Sequence, residues 1–124
     1  MKTVSLSSNN EAVVLTKAIC NLAKNYALSG KDLHNITGFS ESSITRMRQG
    51  QKLISPDSKE GEIALLLIRV YRSLNAMVGN NHEKAIAWLR SKNRNFAKTP
   101  LEELQKLPGL ISVLNYLDAM RGKI

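Results

Sequence analysis

The chain has 124 residues, 43% of them hydrophobic, which suits one core of ordinary size or a small domain with an appendage. Eighteen Lys and Arg against ten Asp and Glu give a formal charge of +8, a balance that favours nucleic acid or another acidic partner. One cysteine and two histidines exclude an internal disulfide and a plausible metal set, and no apolar run approaches the ~20 residues of a membrane span.

The opening ten residues, MKTVSLSSNN, lack the apolar stretch of a secretory signal and read as a polar, flexible tail. The lone Cys20 is consistent with a reducing cytoplasm. Three prolines and no useful alternation of Val, Ile and Thr predict an all-helical chain. The first helix is expected from Glu11 to Tyr26, with Leu15, Ile19, Leu22, Ala23 and Tyr26 on one face and Cys20 on the flank.

The segment from Leu28 to Gly50 is the most informative. It reads as two short helices joined by a Gly-hydrophobe-Ser turn. Gly38 can take the left-handed conformation a sharp turn after a helix requires. Phe39 fills the space between the helices, and Ser40 caps the second. Ile44 and Met47, spaced i, i+3, face inward, leaving Ser42, Ser43, Thr45, Arg46, Arg48 and Gln49 to point elsewhere. That is the layout of a helix-turn-helix with its recognition helix. An αα-hairpin with a charged outer face is the alternative reading. Two positions depart from the usual pattern: His34 stands where alanine is general, and Thr37 where Leu or Ile closes the first helix.

Candidate DNA contacts are Lys31, Ser40, Ser42, Ser43, Thr45, Arg46, Arg48, Gln49 and Lys52. Arg46 and Arg48 offer planar donor forks for guanine edges or nearby phosphates, although a salt bridge to Glu41 is an alternative for Arg46. Ser42, Ser43 and Thr45 suit base edges or phosphates, while Lys31 and Lys52 suit the backbone.

Gln51 to Ser58 is a connector interrupted by Pro56. The longest helix is expected from Lys59 to Val78. Ile63, Leu67, Val70, Leu74 and Met77 form one stripe, Ala64, Ile68 and Tyr71 lie beside it, and Leu65 lies opposite. So wide an apolar circumference must be buried on more than one side, and a second subunit is the candidate for the other side. After Gly79-Asn80-Asn81, a helix from His82 to Ser91 carries Ile86, Trp88 and Leu89, with Trp88 assigned to the core. A polar loop follows, anchored by Phe96. Thr99-Pro100-Leu101-Glu102 is a capping box that starts a short helix at Pro100, which Pro108-Gly109 is expected to stop. The last helix is expected from Leu110 to about Met120, with Leu110, Val113, Leu114 and Leu117 inward and Gly122 at its end.

Charge is not confined to the helix-turn-helix. Residues 1–58 carry seven basic and four acidic side chains, net +3, and residues 59–124 carry eleven and six, net +5. Lys84, Arg90, Lys92, Arg94 and Lys98 form the densest basic segment, equally suited to a solvated face or a contact surface. No nucleophile–base pair, metal set or phosphate-cradling glycine loop points to an enzyme, and no cofactor is expected.

Trp88-Leu89, Asn95-Phe96, TPLEEL from Thr99, Gly109, Val113, Leu117 and Gly122 together resemble the toxin-binding domain of Xre/MbcA/ParS antitoxins. The stretch from Leu65 to Gly79 resembles the segment leading into that domain, and Ser40 to Met47 with Gly50 is similar to the family's Xre-type helix-turn-helix. The resemblance spans roughly residues 12 to 122. It implies a type II antitoxin that binds a RES-domain, NAD-degrading toxin by covering its active-site cleft, and that represses its own operon as a homodimer on operator DNA. The alternative is a stand-alone repressor whose C-terminal half serves only dimerisation.

The expected organisation is a tail (1–10), a DNA-binding domain (11–58), a connecting and dimerisation helix (59–79) and a small helical toxin-binding domain (80–124). On the toxin side the resemblance points to the last helix and tail: Asn115, Tyr116, Arg121, Lys123 and Ile124. Arg121 or Lys123 would occupy the place of the nucleotide's phosphates.

Overall fold

A computed structural model describes residues 6–122 of the chain. Its elements are α1 (Leu6–Asn25), α2 (Gly30–Thr37), α3 (Glu41–Arg48), α4 (Lys59–Met77), α5 (His82–Arg90), α6 (Pro100–Glu103) and α7 (Leu107–Arg121), with no strand among the described residues. The all-α expectation therefore stands.

α4 is the centre of the fold. α1, α2, α5 and above all α7 pack against it. Ala64, Leu67, Val70 and Leu74 are wholly buried beneath these helices, as are Val113 and Leu117 of α7. Each such Val or Leu contributes about 1.5–3 kcal/mol by leaving water. The broad apolar circumference of α4 is thus covered largely from within the chain. α7 covers the largest share of it. Leu65, placed opposite the stripe, remains 46% exposed.

α1 buries the expected stripe of Leu15, Ile19, Leu22, Ala23 and Tyr26. It begins at Leu6, within the segment expected to be a tail, and Met1 to Ser5 lie outside the described residues. The connector before α4 is fastened to α1 by Thr16. This buried hydroxyl donates to the Ala12 carbonyl at 2.7 Å and accepts the Ile54 amide at 2.8 Å. Without Thr16 the Ile54 amide would be buried with no partner.

The largest departure lies at the start of α7. Pro108 and Gly109 were expected to stop the preceding helix, but they lie inside the first turn of α7, which starts at Leu107. Proline is tolerated there because first-turn amides have no intrahelical acceptor. Gly109 has a packing reason: a Cβ on it would run into the carbonyl oxygen of Glu103, at the end of α6. The capping box itself forms as expected, with the Thr99 hydroxyl accepting the Glu102 amide at 3.2 Å and the Glu102 carboxylate accepting the Thr99 amide at 3.2 Å.

The two halves of the chain are also clasped by Arg90 of α5. Its guanidinium donates to the Ala27 carbonyl at 2.9 Å and lies 3.5 Å from the Asp32 carboxylate, at the α1–α2 turn.

Candidate nucleic-acid interface and partner-binding face

The α2–turn–α3 unit is built by short polar side chains that terminate helices. Ser29 caps α2 in a reciprocal box with Asp32: its hydroxyl accepts the Asp32 amide at 3.0 Å, and its own amide donates to the carboxylate at 2.9 Å. Gly38 ends α2 at φ 85°, where an L side chain would be strained. Phe39 is buried behind it, and Ser40 caps α3 by accepting the Ser43 amide at 3.1 Å.

Both departures from the usual motif have a structural account. Thr37 is 2% exposed; its hydroxyl donates to the Leu33 carbonyl at 2.6 Å and accepts the Phe39 amide at 3.3 Å. It therefore satisfies a turn amide that a leucine would leave unpaired. His34 does not wedge the helices apart. It is exposed, and its Nδ1 lies 2.7 Å from the Phe39 carbonyl. A carbonyl only accepts, so Nδ1 carries the proton and the ring fastens the turn from outside.

On α3 the exposed residues fall into two groups. Ser42, Thr45, Arg46 and Gln49 recur at helical spacing along one open face. Arg48 is about 200° around the helix from Arg46. It lines a small depression with Cys20, Asn21, Ala23, Lys24 and Leu28 on the α1 side. The two arginines therefore cannot enter one groove side by side. Burial pushes the Cys20 thiol up in pKa, and the nearby Arg48 cation opposes that shift. Arg46 makes no ion pair with Glu41 among the described residues.

Two expected contacts are turned inward. Ser43 was expected on the outer face, yet it is 7% exposed and its hydroxyl lies 2.9 Å from that of Ser40. Lys52 donates its ammonium to the same Ser43 oxygen at 2.9 Å, so it braces the base of α3. Ser40 is exposed, but its hydroxyl is engaged with Ser42, Ser43 and the cap. Lys31 is exposed in the first turn of α2.

In the C-terminal half, Asn115 is exposed on α7 and Tyr116 is half-buried. Tyr116 stacks on Trp88 with ring centroids 6.1 Å apart and meets Phe96 edge-on at 5.5 Å. All three rings are partly buried and pack against the core, so Trp88 lies at its margin rather than at its centre. Together they form an aromatic patch beside Asn115. Arg121 is exposed and donates to the Ser73 hydroxyl at 3.1 Å; that hydroxyl in turn donates to Asp118 at 2.6 Å. Arg69 lies 3.7 Å from the other Asp118 oxygen. Lys123 and Ile124 lie outside the described residues.

Sequence reasoning named Tyr116 and Arg121, but not the aromatic patch and the arginine cluster to which they belong. Trp88, Phe96 and Tyr116 share no periodicity: they come from α5, the loop after it and α7, and meet only in the folded chain. A partial signal existed for the cluster: Arg69 and Ser73 lie at i, i+4, and Asp118 and Arg121 at i, i+3, each pair on one helix face. Among the described residues no group of three or more His, Cys, Asp or Glu could hold a metal ion, and no helix is long and apolar enough to cross a membrane.

No curated protein matches the chain, but two family models do. The C-terminal toxin-binding domain of the antitoxins Xre, MbcA and ParS matches residues 73–123, and the antitoxin Xre-like helix-turn-helix domain matches residues 6–69. The first match begins at Ser73, which α7 engages through Asp118 and Arg121; the second ends at Arg69, so α4 belongs partly to each. With the DNA-binding unit and the toxin-binding unit matched in this order along nearly all of its length, the chain belongs to the Xre family of antitoxins.

Proposed function

We propose that this antitoxin neutralises a RES-domain, NAD-degrading toxin of a type II system, covering its active-site cleft with the C-terminal half. A homodimer in the cytoplasm binds operator DNA and represses its own operon. The observation that carries the reading is the succession of the two family matches on one chain. The open polar face of α3 and the partly buried aromatic patch beside α7 support it.

On DNA, Ser42, Thr45, Arg46 and Gln49 read the major groove, with Arg46 on a guanine edge. Lys31 and Arg48 take flanking phosphates. The capping bonds of Ser40 and the inward bonds of Ser43 and Lys52 give these three a positioning role. On the toxin, Asn115 and Tyr116 make the contact together with Arg121, Lys123 and Ile124. Partly buried aromatic rings ringed by polar groups are the usual anchors of such interfaces.

The test is co-expression with the toxin encoded beside it. Growth is rescued by the wild type and by Arg46→Ala combined with Arg48→Ala, but not by Asn115→Arg combined with Tyr116→Ala. Rescue by that second variant would overturn the assignment of inhibition to α7. In operator-binding titrations Arg46→Ala costs ~1–3 kcal/mol and relaxes sequence preference. Lys31→Ala lowers the log–log salt slope by ~0.9. An unchanged slope would remove Lys31 from the phosphate contacts.

A further inference from the structure

A groove of about 690 Å³ runs between α1 and α4. Its floor and walls are apolar: Val14, Leu15 and Ala18 from α1, Leu65 and Ile68 from α4. Val14 is 66% exposed and Leu65 46%, so two of the chain's largest exposed hydrophobic side chains face one trough. Paired apolar exposure of this kind marks a surface awaiting a partner.

The charges around the groove say which partner. α1 and α4 advance in the same direction, because the next depression along them is lined by Leu22 and Tyr26 with Tyr71 and Asn75. Glu11 therefore lies at the N-terminal end of the groove, where Glu62 is also exposed one turn before Leu65. Arg69 and Arg72 lie at the C-terminal end. Glu11, Glu62 and Arg72 make no ion pair among the described residues. The basic end opens into a polar depression where Arg69, Arg72 and Arg121 surround a single carboxylate, Asp118. Three guanidiniums around one acid leave room for another carboxylate. A two-fold axis crossing α4 midway between Leu65 and Arg69 would set Glu62 opposite Arg72 of a second copy, and repeat the pair on the other side.

We propose that a second copy of this chain occupies the groove, as an isologous antiparallel pair with the acidic end of each copy on the basic end of the other. Val14, Leu65 and Ile68 form its apolar centre. The proposal rests on the homodimer suggested above and names its surface.

The test is sedimentation equilibrium on the full chain, with circular dichroism melts to confirm that each variant folds. The wild type is dimeric at micromolar concentration, and Val14→Asp raises the dissociation constant roughly a hundredfold by burying an unpaired carboxylate. Glu62→Arg alone and Arg72→Glu alone each weaken the dimer roughly tenfold through like-charge contacts. Both changes on one chain restore it, because each introduced arginine meets an introduced glutamate. A wild type that stays monomeric would overturn the homodimer itself. A dimer indifferent to Val14→Asp would overturn the groove and leave the homodimer standing on another surface. Failure of the double variant to recover would overturn the antiparallel pairing.

Discussion

The turn between α2 and α3 and the seam between α4 and α7 are held together in opposite ways. In the turn, the side-chain bonds join neighbours in sequence: Ser29 with Asp32, Thr37 with Leu33 and Phe39, Ser40 with Ser43, and Lys52 with Ser43 nine positions away. In the seam, Ser73 reaches Asp118 across 45 positions and Arg121 reaches Ser73 across 48. The turn is a locally encoded device for holding α3 at a fixed angle. The seam exists only once the chain has folded, and its stability comes from buried aliphatic side chains. The DNA-binding unit is therefore expected to tolerate changes on its surface, and the seam to fail when its packing is opened.

The largest effect is expected in the seam. Leu117 is wholly buried against α4, and Leu117→Ala leaves a cavity there. The loss is about 2–5 kcal/mol. Urea unfolding followed by Trp88 fluorescence and by circular dichroism measures it. Because α4 belongs to both halves, the two probes are expected to shift together; separate transitions would show that the halves unfold independently.

Gly61→Ala comes next and tests the sign of a common rule. Alanine within a helix ordinarily gains about 1 kcal/mol over glycine. Gly61 is buried in α4, and a Cβ there would run into the backbone oxygen of Ser55 with Pro56 behind it. Backbone cannot swing aside as a side chain can, so the variant is expected to lose about 1–3 kcal/mol. A thermal melt at or above the wild-type midpoint would contradict this.

Legibility followed the same division. The caps at Ser40 and Thr99, the turn at Gly38 and the inward Ile44 and Met47 were readable because each acts within a few residues of itself. Ser43 was misread because its polar character suggested an outer place, although it stands i, i+4 from the inward Met47; its hydroxyl is taken up by Ser40 and Lys52. Pro108 was misread because the same residue that ends one helix can open the next. Trp88, Phe96 and Tyr116 were beyond reach: they come from α5, the loop after it and α7, and meet only in the folded chain. The place of Leu65 opposite the apolar stripe was legible, whereas its exposure and the cover that α7 gives α4 were not.

An effect of similar size tests the turn. Thr37→Val keeps the shape of the side chain and removes the hydroxyl, leaving the Phe39 amide without its bond. The cost is about 1–3 kcal/mol. Operator affinity should fall with it if the turn sets the angle of α3. A destabilised variant with full affinity would show that the turn's bonds serve stability alone.

The smallest effect is at the cap of α6, and it carries a pH signature. Thr99→Ala removes the hydroxyl that accepts the Glu102 amide, at a cost of about 0.5–2 kcal/mol. The Glu102 carboxyl is held below the usual carboxylate range, first by its side-chain bond from Thr99 and then by the Thr99 amide. A carboxyl lowered on folding adds stability that is complete above its unfolded value and is lost as pH falls through the folded one. The wild type should therefore shed this contribution as pH drops below about 4.3, the ordinary value for glutamate. Thr99→Ala lacks most of it at every pH, so the gap between the two melting temperatures should narrow in acid. A gap that stayed constant from neutral to acid pH would mean that the Thr99 hydroxyl caps α6 without drawing on the charge of Glu102.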